Sequence, residues 1–282
     1  MRLLEEVVSF ASRHWPLSLL LAALLLVIAI PHLLERMLVY YPTRAVMETP
    51  DSAGLTFKDI FPETEDGLRL HGWYLPCPGA QKTLMIFHGN AGNIGHRVEW
   101  LAMLKSLALN IMIVDYRGYG RSGGQPFEKG LYRDASAAYG WWKREGSEGG
   151  QKLILLGESL GGAVAVDLAA RAHVDGIILQ STFTSAWDMA KTVLPMGLVQ
   201  PLLGVHYDSQ LKISKVACPK LFIHGTRDDI VPLRLGKRLY DAACSPKRFF
   251  EIEGAGHNDL ILVGGAAYLD KIAAFLAEID RR

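Results

Sequence analysis

Cysteine is scarce in this 282-residue chain, and neither sign of charge is in excess. Its three cysteines, Cys77, Cys218 and Cys244, form no C-x-x-C pair and no metal-like cluster. An odd, sparse set argues against a disulfide framework, reads as free thiols and favours a reducing compartment. Lys plus Arg number 30 against 29 Asp plus Glu, a net charge of +1, with no basic run. That balance removes the electrostatic case for nucleic acid. The nine histidines form no ligand set, so neither a metal nor an organic cofactor is expected. The Gly-rich stretch His88-Gly89-Asn90-Ala91-Gly92-Asn93 lacks the Gly-Lys-Ser/Thr ending of a phosphate loop. Repeats and low-complexity tracts are missing, and nothing specifies an oligomer.

Hydrophobic residues, by contrast, reach 50%, at the high end for a globular chain. Part of the excess lies at the N-terminus. Leu17 to Ile30 is apolar except for Ser18, and the run resumes at Leu33-Leu34 after Pro31-His32. From Trp15 to Leu34 it approaches the ~20 residues that cross a bilayer. Trp15 and Tyr40-Tyr41 flank it, as interfacial rings do. The long charged start with Glu5 and Glu6, and the want of a small-x-small site, favour an uncleaved single-pass anchor over a signal peptide. Arg2 and Arg13 before the run balance Arg36 and Arg44 after it, so charge does not set its orientation. Residues 1–40 are thus expected to be a membrane anchor, and 41–282 a catalytic domain.

After an extended connector, short apolar runs alternate with helical patterns. Strands are expected at 57–63, 68–75, 83–88, 110–116, 152–156, 176–180, 220–224 and 248–252. Helices are expected at 94–107, 131–144, 162–171, 233–243 and 266–279. Glu65-Asp66-Gly67 reads as a hairpin turn. The expected fold is α/β: a mostly parallel sheet with helices on both faces, an antiparallel start, and a site at the carboxyl strand ends. Residues 183–214, interrupted by Pro195, Gly197, Pro201 and Gly204, read as a small cap.

The most informative stretch is Gly157-Glu158-Ser159-Leu160-Gly161, between an apolar strand and a helix. A strained turn there pushes the serine hydroxyl out at the sheet edge. Serine is a weak nucleophile and needs a base, which in turn needs an orienting group. His257, in Gly254-Ala255-Gly256-His257 after the last strand, is the expected base. Asp228, at the end of the strand segment 221–228, is the expected orienter, with Asp229 as its rival. The other histidines, His224 among them, read as packing or surface residues. The backbone N–H groups of Asn90 and Leu160 are expected to form an oxyanion hole. Asp115 reads as architectural, tying down a strand-end loop.

These motifs resemble the α/β-hydrolase superfamily, and within it the membrane-anchored, Bem46-like and serine aminopeptidase S33-like group. The resemblance is carried by His88 to Asn93, Asp115-Tyr116-Arg117-Gly118-Tyr119-Gly120-Arg121-Ser122, Gly157 to Gly162, His224-Gly225-Thr226-Arg227-Asp228 and Gly256-His257. Glu35-Arg36-Met37-Leu38-Val39-Tyr40-Tyr41-Pro42 adds to it. It implies a serine hydrolase. The expected substrate is a small or lipid-like acyl ester or thioester, with Phe183 and Trp187 of the cap against the acyl chain. The family label implies an aminopeptidase as the alternative, for which the cap offers only Asp188 and Asp208 as amine-binding carboxylates. A non-catalytic binding module is the remote alternative.

Overall fold

The computed structural model describes residues 33–147, 150–193 and 204–281, together with Leu19 and Pro31. Most of the expected anchor lies outside these residues. The described chain begins as a helix over residues 33–39, α1. The strands are β1 Tyr41–Pro42, β2 Lys58–Ile60, β3 His71–Leu75, β4 Lys82–Phe87, β5 Ala91–Gly92, β6 Asn110–Asp115, β7 Lys152–Glu158, β8 Gly176–Gln180, β9 Lys220–Gly225 and β10 Lys247–Ile252. The further helices are α2 Val98–Lys105, α3 Glu128–Trp141, α4 Leu160–Ala169, α5 Ala186–Val193, α6 Ser209–Ile213, α7 Leu233–Ala242 and α8 Leu260–Asp280.

Eight strands form one sheet in the order β10-β9-β8-β7-β4-β6-β3-β2. The pairs from β10 to β6 are parallel, and β3 and β2 join antiparallel. The central strands are apolar on both faces because helices cover both. Met85, Phe87, Met112, Val114, Leu153 and Leu155 face α3, α4 and α7. Their neighbours Leu84, Ile86, Ile111, Ile113, Ile154 and Leu156 face α2 and α8. Alternation with a period of two thus sorts one run of residues into two cores.

The chain leaves β4 toward β6 on one side and returns to β7 on the other. Strand order therefore reverses between β4 and β7, which opens a crevice at their carboxyl ends. Phe87 pairs with Gly157 at that edge, so loop 88–93 and Ser159 emerge side by side.

Three expectations need correction. The connector after the apolar run is not merely extended. Tyr41–Pro42 pairs in parallel with Ala91–Gly92, and Pro50–Ala53 makes a 3₁₀ turn. The last helix starts at Leu260 rather than Ala266 and absorbs a kink at Gly265, whose φ of 46° the missing side chain permits. The 142–144 end of the second expected helix is a π turn, Trp142–Gly146. Among the described residues, α8 is the one helix long and apolar enough to cross a membrane. Its buried stripe, formed by Tyr268, Ile272, Phe275, Leu276 and Ile279, packs instead on the sheet at helical spacing.

Candidate active site

Ser159 sits between β7 and α4 with φ 53° and ψ −115°, a conformation that a non-glycine residue adopts only under constraint. The constraint is visible. The Ser159 N–H donates to Gln180 O (2.9 Å). Its carbonyl accepts Thr182 Oγ1 (2.8 Å) and the Gly162 N–H (3.0 Å). The glycines allow the close approach: a Cβ on Gly161 would overlap the Phe87 carbonyl, and one on Gly157 the backbone of Gly161 and Gly162. Ser159 itself is 8% exposed.

On the far side of the edge, the loops after β9 and β10 bring Asp228 and His257 together. His257 Nδ1 lies 2.8 Å from Asp228 Oδ2 and, facing a carboxylate, carries the proton. The other oxygen, Oδ1, accepts the N–H groups of Ile230 (3.1 Å) and Val231 (2.7 Å). Asp229, the rival, makes no such bond to His257 and lies with it along an open surface groove. Burial would raise the Asp228 pKa, but hydrogen bonds from His224 and His257, with the His257 charge and the Val231 amide, hold it well below the usual carboxylate range.

His224 is the neighbour of this pair that the sequence reading does not single out. It is buried in β9, with Nε2 2.8 Å from Val231 O and 3.3 Å from Asp228 Oδ2. One N–H thus serves a carbonyl and the carboxylate together. Its ring lies over Gly236 of α7, where a Cβ would displace it.

Opposite, loop 88–93 follows β4. His88 Nδ1 donates to Gly89 O (2.8 Å). The Gly89–Asn90 peptide is planar and trans, so its N–H points away from that ring. Neighbouring backbone groups of the turn are engaged. Gly89 N–H donates to Glu158 Oε2 (3.2 Å), which also takes Arg97 Nε (3.2 Å). Asn90 O accepts the Tyr41 N–H (3.0 Å) and Tyr119 Oη (2.7 Å). Among the described residues, the Asn90 N–H itself donates to no protein group. Leu160 N–H is the first amide of α4, which helix geometry leaves without an intrahelical acceptor. Asp115 is fully buried, and its Oδ1 accepts the Ile94 N–H (3.0 Å) that starts the next turn.

A cavity of about 290 Å³ opens over Ser159, lined by Leu38, Val39, Tyr41, Asn90, Leu160 and Phe183, with Met189, Val205 and Tyr207 beyond. Phe183 is therefore among the residues lining this cavity. Trp187 is not: Ala186, Met189 and Ala190 form the face of α5 on the cavity, while Trp187 lies under Lys191 Nζ, 4.6 Å from the ring centre. The apolar cap residues Leu194, Met196, Leu198 and Leu202 lie outside the described residues.

Comparison with known proteins agrees with this architecture. Residues 78–211 match the family described as serine aminopeptidase, S33. An uncharacterized protein of Mycobacterium tuberculosis is 39% identical over 86% of this chain and 88% of its own length. Protein bem46 of Schizosaccharomyces pombe is 34% identical over 92% and 91%. An uncharacterized membrane protein of Saccharomyces cerevisiae is 33% identical over 82% and 84%. Among solved structures, an esterase of Pyrococcus furiosus superposes with a TM-score of 0.73 at 22% identity, covering 85% of this chain and 98% of that one. With this fold, this elbow and these relatives, the chain belongs to the Bem46-like group of the α/β-hydrolase superfamily.

Proposed function

We propose that this protein is a membrane-anchored serine hydrolase that cleaves a carboxylic ester or thioester through Ser159, His257 and Asp228. The observation that carries the reading is the Asp228–His257 bond of 2.8 Å at the same sheet edge as the strained elbow of Ser159. Ser159 Oγ attacks the acyl carbon and its proton passes to His257 Nε2. Asp228 holds Nδ1–H and balances the imidazolium. The oxyanion is received by the amides of Asn90 and Leu160. His257 then protonates the leaving alcohol or thiol, and water attacks the acyl-enzyme to free the acid.

The cavity supports an acyl substrate, since its described walls are aliphatic or aromatic apart from Asn90, Ser159 and the tyrosine hydroxyls. The anchor reading rests on the apolar run before residue 35 and on the yeast relative named as a membrane protein. The family description favours a second reading, a serine aminopeptidase on the same residues. That chemistry needs a carboxylate for the substrate amine. Among the described lining residues there is none, and Asp188 is engaged by Lys191 and Arg238.

Fluorophosphonate labelling of the full chain tests the proposal. Wild type should be labelled and Ser159→Ala should not; an unlabelled wild type, or equal labelling of both, overturns it. Hydrolysis of p-nitrophenyl esters beside aminoacyl p-nitroanilides separates the two readings.

A further inference from the structure

The segment between the apolar run and the sheet, residues 35–42, is more than a tether. Glu35 and Tyr40 are only 2% and 3% exposed. Tyr40 Oη donates to Glu35 Oε1 (2.7 Å), so the Tyr207 hydroxyl, 2.7 Å from Tyr40 Oη, donates to it in turn. Glu35 Oε1 also accepts the N–H of Glu128, the first residue of α3 (2.7 Å). The Glu128 carboxylate accepts the amides of His206 (2.6 Å) and Tyr207 (2.8 Å). Strap, catalytic body and cap are thereby fastened at one buried point. Burial above all raises the pKa of the Tyr40 and Tyr207 hydroxyls, which keeps both as donors.

From that latch the strap runs along the oxyanion loop. Val39 O accepts Asn90 Nδ2 (3.0 Å), Tyr41 N–H donates to Asn90 O (3.0 Å), and Thr43 N–H donates to Gly92 O (3.0 Å). Leu38, Val39 and Tyr41 meanwhile line the cavity over Ser159. Asn90, which lines that cavity, is thus bonded on two sides by the strap. An oxyanion donor acts only within a narrow distance window, and a misplacement of about 1 Å costs on the order of 10²-fold.

We propose that residues 35–42 are a working wall of the site: Leu38, Val39 and Tyr41 select the acyl chain, and the latched strap positions Asn90. The proposal rests on the serine-hydrolase reading above. Leu38 is half exposed at the mouth, so its size can change without overpacking the core.

The experiment uses the full chain in nonionic detergent and p-nitrophenyl acetate, butyrate and octanoate. Leu38→Trp should lower the octanoate-to-acetate ratio of kcat/KM about tenfold, and Leu38→Ala should raise it, on the scale that methylene groups carry in apolar pockets. Tyr40→Phe should lower kcat on acetate about tenfold with KM nearly unchanged, measured well below its melting temperature and scaled to the folded fraction. Unchanged chain-length ratios in both Leu38 variants overturn the selecting wall, and a Tyr40→Phe enzyme at wild-type kcat overturns the positioning of Asn90. In either case the hydrolase reading stands. A wild type that neither labels with fluorophosphonate nor turns over any ester overturns both.

Discussion

The two flanks of the candidate site are built from different materials. On the β9–β10 flank, the groups proposed to act are side chains: the Asp228 carboxylate and the His257 imidazole, with His224 behind them. On the β4 flank they are backbone amides, and side chains matter only for where those amides point. His88 turns the Gly89–Asn90 peptide, while Tyr119 and the strap hold Asn90. On the proposed function, changing a side chain on the first flank removes chemistry. On the second flank the N–H survives almost any substitution, and what is lost is its position.

That contrast orders the expected effects. Asp228→Asn should cost the most, about 10⁴-fold in kcat on p-nitrophenyl acetate with KM little moved, because the wrong tautomer of His257 then faces Ser159. A loss under tenfold would show that the acid flank is not chemical. Asn90→Ala keeps its amide but loses the bond to Val39 O. Its kcat should fall roughly 10–100-fold, and a drop as deep as that of Asp228→Asn would erase the distinction between the flanks. His224→Asn removes a hydrogen bond to a charged group, worth roughly 1.5–3 kcal/mol. At the lower bound of that range its kcat falls about tenfold, with the acid limb of the pH–rate profile displaced as well; a change in melting temperature alone would make His224 a packing residue.

The smallest effect concerns stability. Asp228 is held below its ordinary pKa in the folded protein. As pH falls, the unfolded chain takes up the proton first, so acid withdraws the stability that this carboxylate contributes. The stability gap between wild type and Asp228→Asn in urea unfolding should be constant above about pH 5 and shrink below about pH 4, the ordinary aspartate range. A gap that widens toward acid would contradict the geometry.

The elbow and the first flank are more legible in the sequence than the second flank, for the same reason. A serine between glycines after an apolar run, and a histidine in a glycine-rich turn, are residue types in positions, and both can be read one at a time. The alternation of strands and helices is legible too, because burial on both faces demands continuous apolar runs such as Ile111 to Val114. Asn90 is legible only as a place in a loop. The role of His224 is not, since an imidazole inside a strand looks like any other packing residue until the chain after β9 folds back onto it. Trp187 is misplaced because helix phase decides which side of α5 meets the cavity.

The sequence by itself thus determined the alternating α/β architecture, the elbow, and the three residue types in the order Ser, Asp, His. Local pattern suffices there, because periodicity and turn chemistry act over a few neighbouring residues. Tertiary structure alone decided that Glu35, Tyr40, Glu128 and Tyr207 meet in one buried latch, and that the strap after the apolar run lies along Asn90. Those bonds join residues up to 167 positions apart. No local pattern encodes such a meeting, since it depends on how the sheet, the cap and the strap close over one another.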